Sequence, residues 1–346
     1  MKNSFERLFK GRRVLVTGDT GFKGSWLSLW LHELGAEVTG FALPPEREDD
    51  HFNLLGLNRL IRHIDGDIRD LSAVERVFKE AEPEFLFHLA AQPLVRLSYD
   101  EPKLTFDTNV GGSVNILEAV RATPSLRSVI YVTSDKCYRN NEWPWGYREN
   151  DVLGGHDPYS VFSSYMSSFF SSRAGLGGAS VRAGNVIGGG DWAADRIVPD
   201  SIRFLRNHKP ILIRNPDATR PWQHVLEPLY GYLLTASMLY HEPARFSGPW
   251  NFGPDGDSIR TVGALAEKIV DCWGEGSVEI AVNSGGPHEA RLLHLNCDKA
   301  RSLLDWRPRW SFDRAIKETV DWYKEVCSGK AALEVSRRQI RDYMEA

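Results

Sequence analysis

Cysteine is scarce and scattered in this chain. The four thiols, Cys137, Cys272, Cys297 and Cys327, form no Cys-x-x-Cys pair, which argues against a zinc site or a disulfide framework and for reduced thiols in the cytoplasm. No metal site is expected. Long apolar runs are also absent: nothing approaches the ~20 residues that span a bilayer, so no membrane partner is expected. The opening MKNSFERLFKGRR lacks the apolar core of a secretory signal. No basic stripe rises above a background of 42 Lys and Arg against 46 Asp and Glu, a net charge of −4, which argues against a nucleic-acid partner. Internal repeats and low-complexity linkers are missing as well. What remains, 42% hydrophobic and 25% charged in 346 residues, is an ordinary globular composition with room for one large domain or two intimately packed ones.

The chain is organised around residues 13–30, RVLVTGDTGFKGSWLSLW. Val14, Leu15 and Val16 make a short apolar run suited to a fully buried strand, broken by Thr17-Gly18. Gly18, Gly21 and Gly24 then follow at intervals of three, ahead of an amphipathic helix carrying Trp26, Leu27, Trp30 and Leu31. Such a trio reads either as an ordinary strand-to-helix turn or as a pyrophosphate cradle. In the second case Gly18 makes the turn, Gly21 lets backbone approach the phosphates and Gly24 lets the helix pack closely on the strand. Further strands are expected at 37–41, 60–64, 85–89, 129–132 and around Ala179, alternating with helices, so the fold class is α/β with a doubly wound parallel sheet. The end of the second strand, Gly40-Phe41-Ala42-Leu43, offers no acidic residue for an adenosine ribose and no Arg for a 2′-phosphate. Asp70 reads as a helix cap. Ser134, Asp135 and Lys136 follow the 129–132 strand at the edge where open α/β sheets place ligands, and read either as a turn or as catalytic groups.

With Gly-x-x-Gly-x-x-Gly after Thr17, the chain resembles the extended short-chain dehydrogenase/reductase family, in its nucleotide-sugar-modifying branch. The segments TSDKCY (133–138), WGYREN (145–150), DPYS (157–160), VRAGNVIGGGDW (181–192), DRIVPD (195–200), RPWQHV (220–225) and WNFGP (250–254) extend the resemblance to nearly the whole length, and to the sugar-nucleotide 4,6-dehydratases. Lys136, where most of those enzymes carry Glu, points to the group acting on CDP-glucose.

The resemblance implies a Rossmann-type NAD-binding domain over 1–185, rejoined by part of 220–255, and a smaller interleaved α/β substrate domain over 186–346. It implies NAD held by Gly18, Gly21, Phe22, Lys23 and Gly24, by Asp67 and Ile68 at the adenine, by Leu89, Ala90 and Ala91 of the His88-Leu89-Ala90-Ala91 pattern, and by Asn109 and Tyr159. It further implies a nucleotide-sugar substrate touched by Gln92, Asn185, Arg196, Arg220, His224 and Arg291, with Trp222 and His288 nearby, and a homo-oligomer, dimer or tetramer. The implied reaction oxidises the sugar at carbon 4, loses water across carbons 5 and 6, and returns hydride to carbon 6. Tyr159 takes the hydroxyl proton, Ser134 donates to the carbon-4 oxygen, and Lys136 and Asp135 serve as base and acid.

One departure stands out. Members of the family carry Tyr-x-x-x-Lys, but the fourth residue after Tyr159 is Ser163, and no Lys occurs between Lys136 and Lys209. The stretch from Tyr159 to Ala179 is also short by about two helical turns, on the order of eight residues, as a deletion would leave it. Tyr165 is a second candidate phenol. The lost cation, which would lower a phenol pKa by ~1–3 units, leaves three outcomes open. Activity is crippled, rescued by Lys136, Arg173 or the cofactor's ring charge, or replaced by an epimerase or reductase reaction on a related CDP-sugar. In the second half, Gly188, Gly189 and Gly190 read as a ligand loop or a flexible turn, Trp306 and Trp310 as packing, and the tail 330–346 as a solvated helix available for oligomer contacts.

Overall fold

Alternating strands and helices in the first half of the chain build one parallel sheet. A computed structural model describes residues 2–154, 175–280 and 293–346. The strands are β1 (Arg13–Thr17), β2 (Glu37–Ala42), β3 (Arg62–Asp65), β4 (Phe85–His88), β5 (Ser128–Ser134), β6 (Gly177–Ala183), β7 (Asn185–Ile187), β8 (Ile211–Ile213), β9 (Thr219–His224), β10 (Gly248–Phe252), β11 (Ile259–Thr261) and β12 (Val278–Ile280). Seven of them pair in the order β10-β6-β5-β4-β1-β2-β3, every pair parallel. The order reverses between β1 and β4, which opens a crevice beyond their carboxyl ends.

Side-chain alternation along the strands feeds two cores. Val14, Val16, Phe85, Phe87 and Ile130 face one side with Trp26 and Trp30, while Leu15, Leu86 and Val129 face the other with Phe41, Val74 and Leu117. Two smaller sheets, β11-β9-β7 and β12-β8, lie outside this one, and β10 returns the chain to its edge. Among the described residues no helix is long and apolar enough to cross a membrane.

Two expectations need correction, at the third strand and at the tail. The third strand starts at Arg62, not Leu60, because Leu57–Arg59 forms a 3-10 turn and Ile61 drops into the core ahead of the strand. The amino-terminal segment is a helix, Lys2–Phe9, seated by the Phe5 ring on Tyr230 and the Phe9 ring on Phe85. The tail helix, Ala332–Glu345, is not a free solvated element: Val335, Ser336, Gln339, Ile340 and Tyr343 are buried against the rest of the fold. Trp306 and Trp310 are buried as expected.

Candidate active site

The three glycines of the first loop each meet a distinct steric demand. Gly18 has φ +78°, and a Cβ there would stand 2.7 Å from the Ala90 nitrogen, so the loop lies directly on the end of β4. A Cβ on Gly24 would overlap the Gly18 carbonyl oxygen, which seals the Phe22–Glu33 helix onto the turn. Gly21 is exposed, with only the Gly18 oxygen at 3.4 Å from a built Cβ, and no side chain caps the helix that it starts. An uncapped helix amino terminus with exposed backbone suits a pyrophosphate, so the residues present fit a dinucleotide.

Around this loop, Leu89 and Ala90 are half-buried and Ala91 exposed. The Leu89 nitrogen donates to the Thr17 carbonyl at 3.0 Å, joining the ends of β1 and β4. Asp67 and Ile68 follow β3. The Arg69 guanidinium holds the Asp67 carboxyl below its usual range, and buried Ile68 packs where a side chain on Gly112 would fall. Asp70 caps the Leu71–Ala81 helix through the nitrogens of Ser72 and Ala73. Asn109 sits in a π turn, Asp107–Gly112, and clamps Gln92 from both sides, accepting from its nitrogen at 2.7 Å and donating to its carbonyl at 3.1 Å. Single π turns of this kind recur at functional sites.

The acidic group packed against the end of β2 comes from the glycine loop itself. Asp19 is fully buried, its carboxylate occupies the space that a side chain on Gly40 would fill, and His63 Nδ1 lies 2.7 Å from Asp19 Oδ2. Burial pushes the Asp19 carboxyl up. Only the glycine at position 40 hinted at this neighbour.

At the end of β5 a 3-10 turn, Asp135–Cys137, assembles three chemical groups. Ser134 Oγ donates to Asp135 Oδ1 at 3.0 Å and accepts from the Lys136 nitrogen at 3.2 Å; Lys136 Nζ stands 3.9 Å from Asp135 Oδ1. The tripeptide is therefore a turn, and that turn gathers a hydroxyl, a carboxylate and an amine. Asp135 is 2% exposed, while the Lys136 side chain is 40% exposed. Pairing of Ser134 with Ala183 brings Gly184 alongside, where a Cβ would lie 3.3 Å from Asp135 Oδ2 and 3.2 Å from Pro221.

The opposite wall comes from the second half. Asn185 pairs with Trp222, and Arg220 lies on β9 opposite Arg260. Arg196 donates to Asp191 Oδ2 at 2.8 Å. The Gly188–Gly190 loop is tightly fitted, not a flexible turn: a Cβ on Gly189 would collide with Trp322, and Trp26 Nε1 donates to the Gly189 carbonyl at 2.9 Å. Lys23, on the first turn of the glycine-loop helix, interacts with Asp135, Lys136, Asp191 and Arg196. Burial pushes its amine down to about 8, with Arg196 and Lys136 adding to the effect and the two carboxylates opposing it.

Two expected substrate contacts are placed otherwise. His224 is fully enclosed between Trp26 and Trp310, and burial drives its pKa down to about 3, so its ring is a neutral part of the core. The Gln92 amide donates to the Leu94 carbonyl and Thr105 Oγ1 and accepts from the Leu94 nitrogen, which commits it to its own loop. Tyr159, Ser163, Tyr165, Arg173, His288 and Arg291 lie outside the described residues.

Comparison with known proteins matches this architecture. The chain is 48% identical to the CDP-glucose 4,6-dehydratase of Salmonella typhimurium, over 99% of this chain and 98% of that one. It is 30% identical to the CDP-paratose 2-epimerase of Salmonella typhi, over 91% of this chain and all of that one. Among solved structures, an epimerase of Methanothermobacter thermautotrophicus superposes with a TM-score of 0.78 at 25% identity, covering 98% of both chains. The dTDP-glucose 4,6-dehydratase of Bacillus anthracis, solved in complex with NAD, superposes with a TM-score of 0.76 at 18% identity, covering 94% of this chain and all of that one. A family model matches residues 14–239, from the first strand of the sheet through the helix that follows β9, and the chain belongs to the NAD dependent epimerase/dehydratase family.

Proposed function

We propose that the protein dehydrates CDP-glucose to CDP-4-keto-6-deoxyglucose in deoxysugar biosynthesis, as a hydro-lyase with NAD as its resident cofactor. The observation that carries the reading is the Ser134–Asp135–Lys136 turn, in a chain 48% identical along 99% of its length to a CDP-glucose 4,6-dehydratase. NAD, when bound, supplies the acceptor and later the donor of one hydride. Gly18, Gly21, Phe22, Lys23 and Gly24 would hold its pyrophosphate, with Asp67 and Ile68 at the adenine and Leu89, Ala90, Ala91, Asn109 and Tyr159 along its length.

The protein's own groups then move protons. Ser134 turns its hydroxyl from Asp135 to the carbon-4 oxygen, and Tyr159 takes the proton of the sugar's carbon-4 hydroxyl. Lys136 removes the proton from carbon 5, acidified by the neighbouring ketone. Asp135, buried at the end of β5, gives a proton to the departing carbon-6 hydroxyl. Arg196 and Arg220 clamp the nucleotide diphosphate, a task suited to guanidinium forks, and Asn185 and Arg291 line the substrate. Residues 1–185 with part of 220–255 serve the cofactor, and 186–346 mainly the substrate. We also read the protein as a cytoplasmic homo-oligomer, dimer or tetramer; exposed Tyr99, Phe106 and Val114 on the helices of 95–122 support the association.

The test is incubation with CDP-glucose and NAD, followed by mass spectrometry for the loss of one water, with UDP-, GDP- and dTDP-glucose in parallel. Water loss from the CDP sugar alone is expected. No loss from any sugar, with CDP-glucose still bound, would overturn the reading in favour of a binding protein without turnover. Ser163, standing where the family carries its lysine, is the observation that favours that second reading.

A further inference from the structure

The run from Gly188 to Trp192, which follows β7, is held at nearly every residue. Trp26 Nε1, on the glycine-loop helix, donates to the Gly189 carbonyl at 2.9 Å. Gly190, at φ +80°, leaves no room for a side chain beside His51. The Tyr323 hydroxyl, on the Phe312–Cys327 helix, donates to the Asp191 carbonyl at 2.5 Å. Arg47, in the loop after β2, donates to the Trp192 carbonyl at 2.9 Å, and Arg203 of the Ile197–Arg206 helix donates to the same oxygen. A backbone fixed from so many sides gives the Asp191 side chain one place to stand.

That side chain is fully committed. Asp191 is 4% exposed; its Oδ1 accepts from the Ala193 nitrogen at 3.2 Å and its Oδ2 from Arg196 Nη1 at 2.8 Å. Arg196 is committed at one point only. A guanidinium carries five N–H donors in a rigid fork, and among the described residues this one uses a single nitrogen, on Asp191. Its side chain is 36% exposed, and the residue stands at the N-cap of the Ile197–Arg206 helix, whose amino terminus no side chain caps. That terminus adds a partial positive charge beside the guanidinium.

We propose that Asp191 is the positioning residue of the diphosphate clamp, holding one nitrogen of Arg196 so that the rest of the fork faces the phosphates of a nucleoside diphosphate. The inference rests on the placement of Arg196 at the diphosphate in the dehydratase reading. A free arginine side chain is immobilised anew at each binding event, whereas this one is ordered by the fold before substrate arrives. Charge alone predicts the reverse. The Asp191 carboxylate repels phosphate, so without the positioning effect its removal would tighten binding.

Calorimetric titration with CDP, which needs no turnover, decides between the two. In Asp191→Asn the affinity for CDP is expected to fall about 10-fold, and in Arg196→Ala about 10- to 100-fold, while Asp191→Asn adds nothing further in the Arg196→Ala background. Such non-additivity marks one residue acting through the other. A merely structural Asp191 would weaken CDP equally in both backgrounds, and that result would overturn the inference. So would tighter CDP binding in Asp191→Asn, or unchanged binding in Arg196→Ala. Arg196→Lys leaves Asp191 and the positive charge in place but offers a single ammonium, and its CDP affinity should match that of Arg196→Ala within about threefold. Wild-type affinity there would also overturn the inference, since a point charge needs no orientation. Should wild type and variants bind CDP in the expected pattern while CDP-glucose loses no water, the dehydratase reading fails alone and the positioning role of Asp191 stands.

Discussion

Asp135 shows how much of this site one residue's surroundings decide. It is 2% exposed, accepts from Ser134 at 3.0 Å and lies against Gly184, where any side chain would press on it. Asp135→Asn keeps the shape and removes the exchangeable proton. Turnover of CDP-glucose is expected to fall by about 10²- to 10⁴-fold, while CDP-glucose affinity by calorimetry stays within a few-fold. Gly24→Ala tests the cofactor side. Its methyl would overlap the Gly18 carbonyl oxygen, so NAD binding, read by fluorescence titration, should be lost along with the turn. These residues were legible because a turn at a strand end and glycines at fixed spacing are local signals. Asp19 was not legible as a buried charge beside the glycine loop, since its partner His63 lies far along the chain. Nor could spacing show that His224 would be enclosed by Trp26 and Trp310.

Among the elements, the carboxy-terminal helix is the one whose character changed most. Its Arg- and Glu-rich composition suggested a solvated surface, yet Val335, Ser336, Gln339, Ile340 and Tyr343 form a buried stripe at helical spacing. Ser336 Oγ accepts from Trp322 Nε1 at 2.9 Å, and Tyr343 donates to Glu227 at 2.6 Å. Tyr343→Phe strips one donor from a buried carboxylate and should cost about 1–3 kcal/mol in urea unfolding, with turnover per folded molecule unchanged. The strands fared better because apolar β-branched runs and their alternation are local properties. The exception is β3, whose start is set by the 3-10 turn at Leu57–Arg59 and not by the apolar pair before it. Glycines at 188–190 announced missing side chains, but Trp322 and His51, which fill the space, arrive from distant segments.

Across the whole molecule, buried ionisable groups set an acid side and a weak alkaline side to stability. Burial drives His51, His88 and His224 each down to about 3 and Glu227 up to about 7. The histidines refuse protons when folded and accept them when unfolded, so their contribution is lost as the pH falls below ~6.5. Glu227 holds its proton when folded and loses it unfolded, so its contribution is lost as the pH rises from ~4.5 toward 7. Among the groups driven furthest from their ordinary values, the three histidines outweigh the one glutamate between those limits. The melting temperature by calorimetry should climb from pH 5 to 6.5 and then level or dip, and Glu227→Gln should remove the dip and steepen the climb; a profile flat from pH 5 to 7 would contradict this balance. The π turn at Asp107–Gly112 bears on how the chain tolerates changes in length. Such a turn holds one residue more than an α-helical turn, so deleting a single residue there would let the helix run on regularly with both ends still in phase, but with Asn109 drawn out of its position. Asn109 would leave Gln92, and the carboxyl end of β4 would lose its clamp. A shortening that leaves both ends of the helix in place would here still cost the crevice the residue that ties it to that helix.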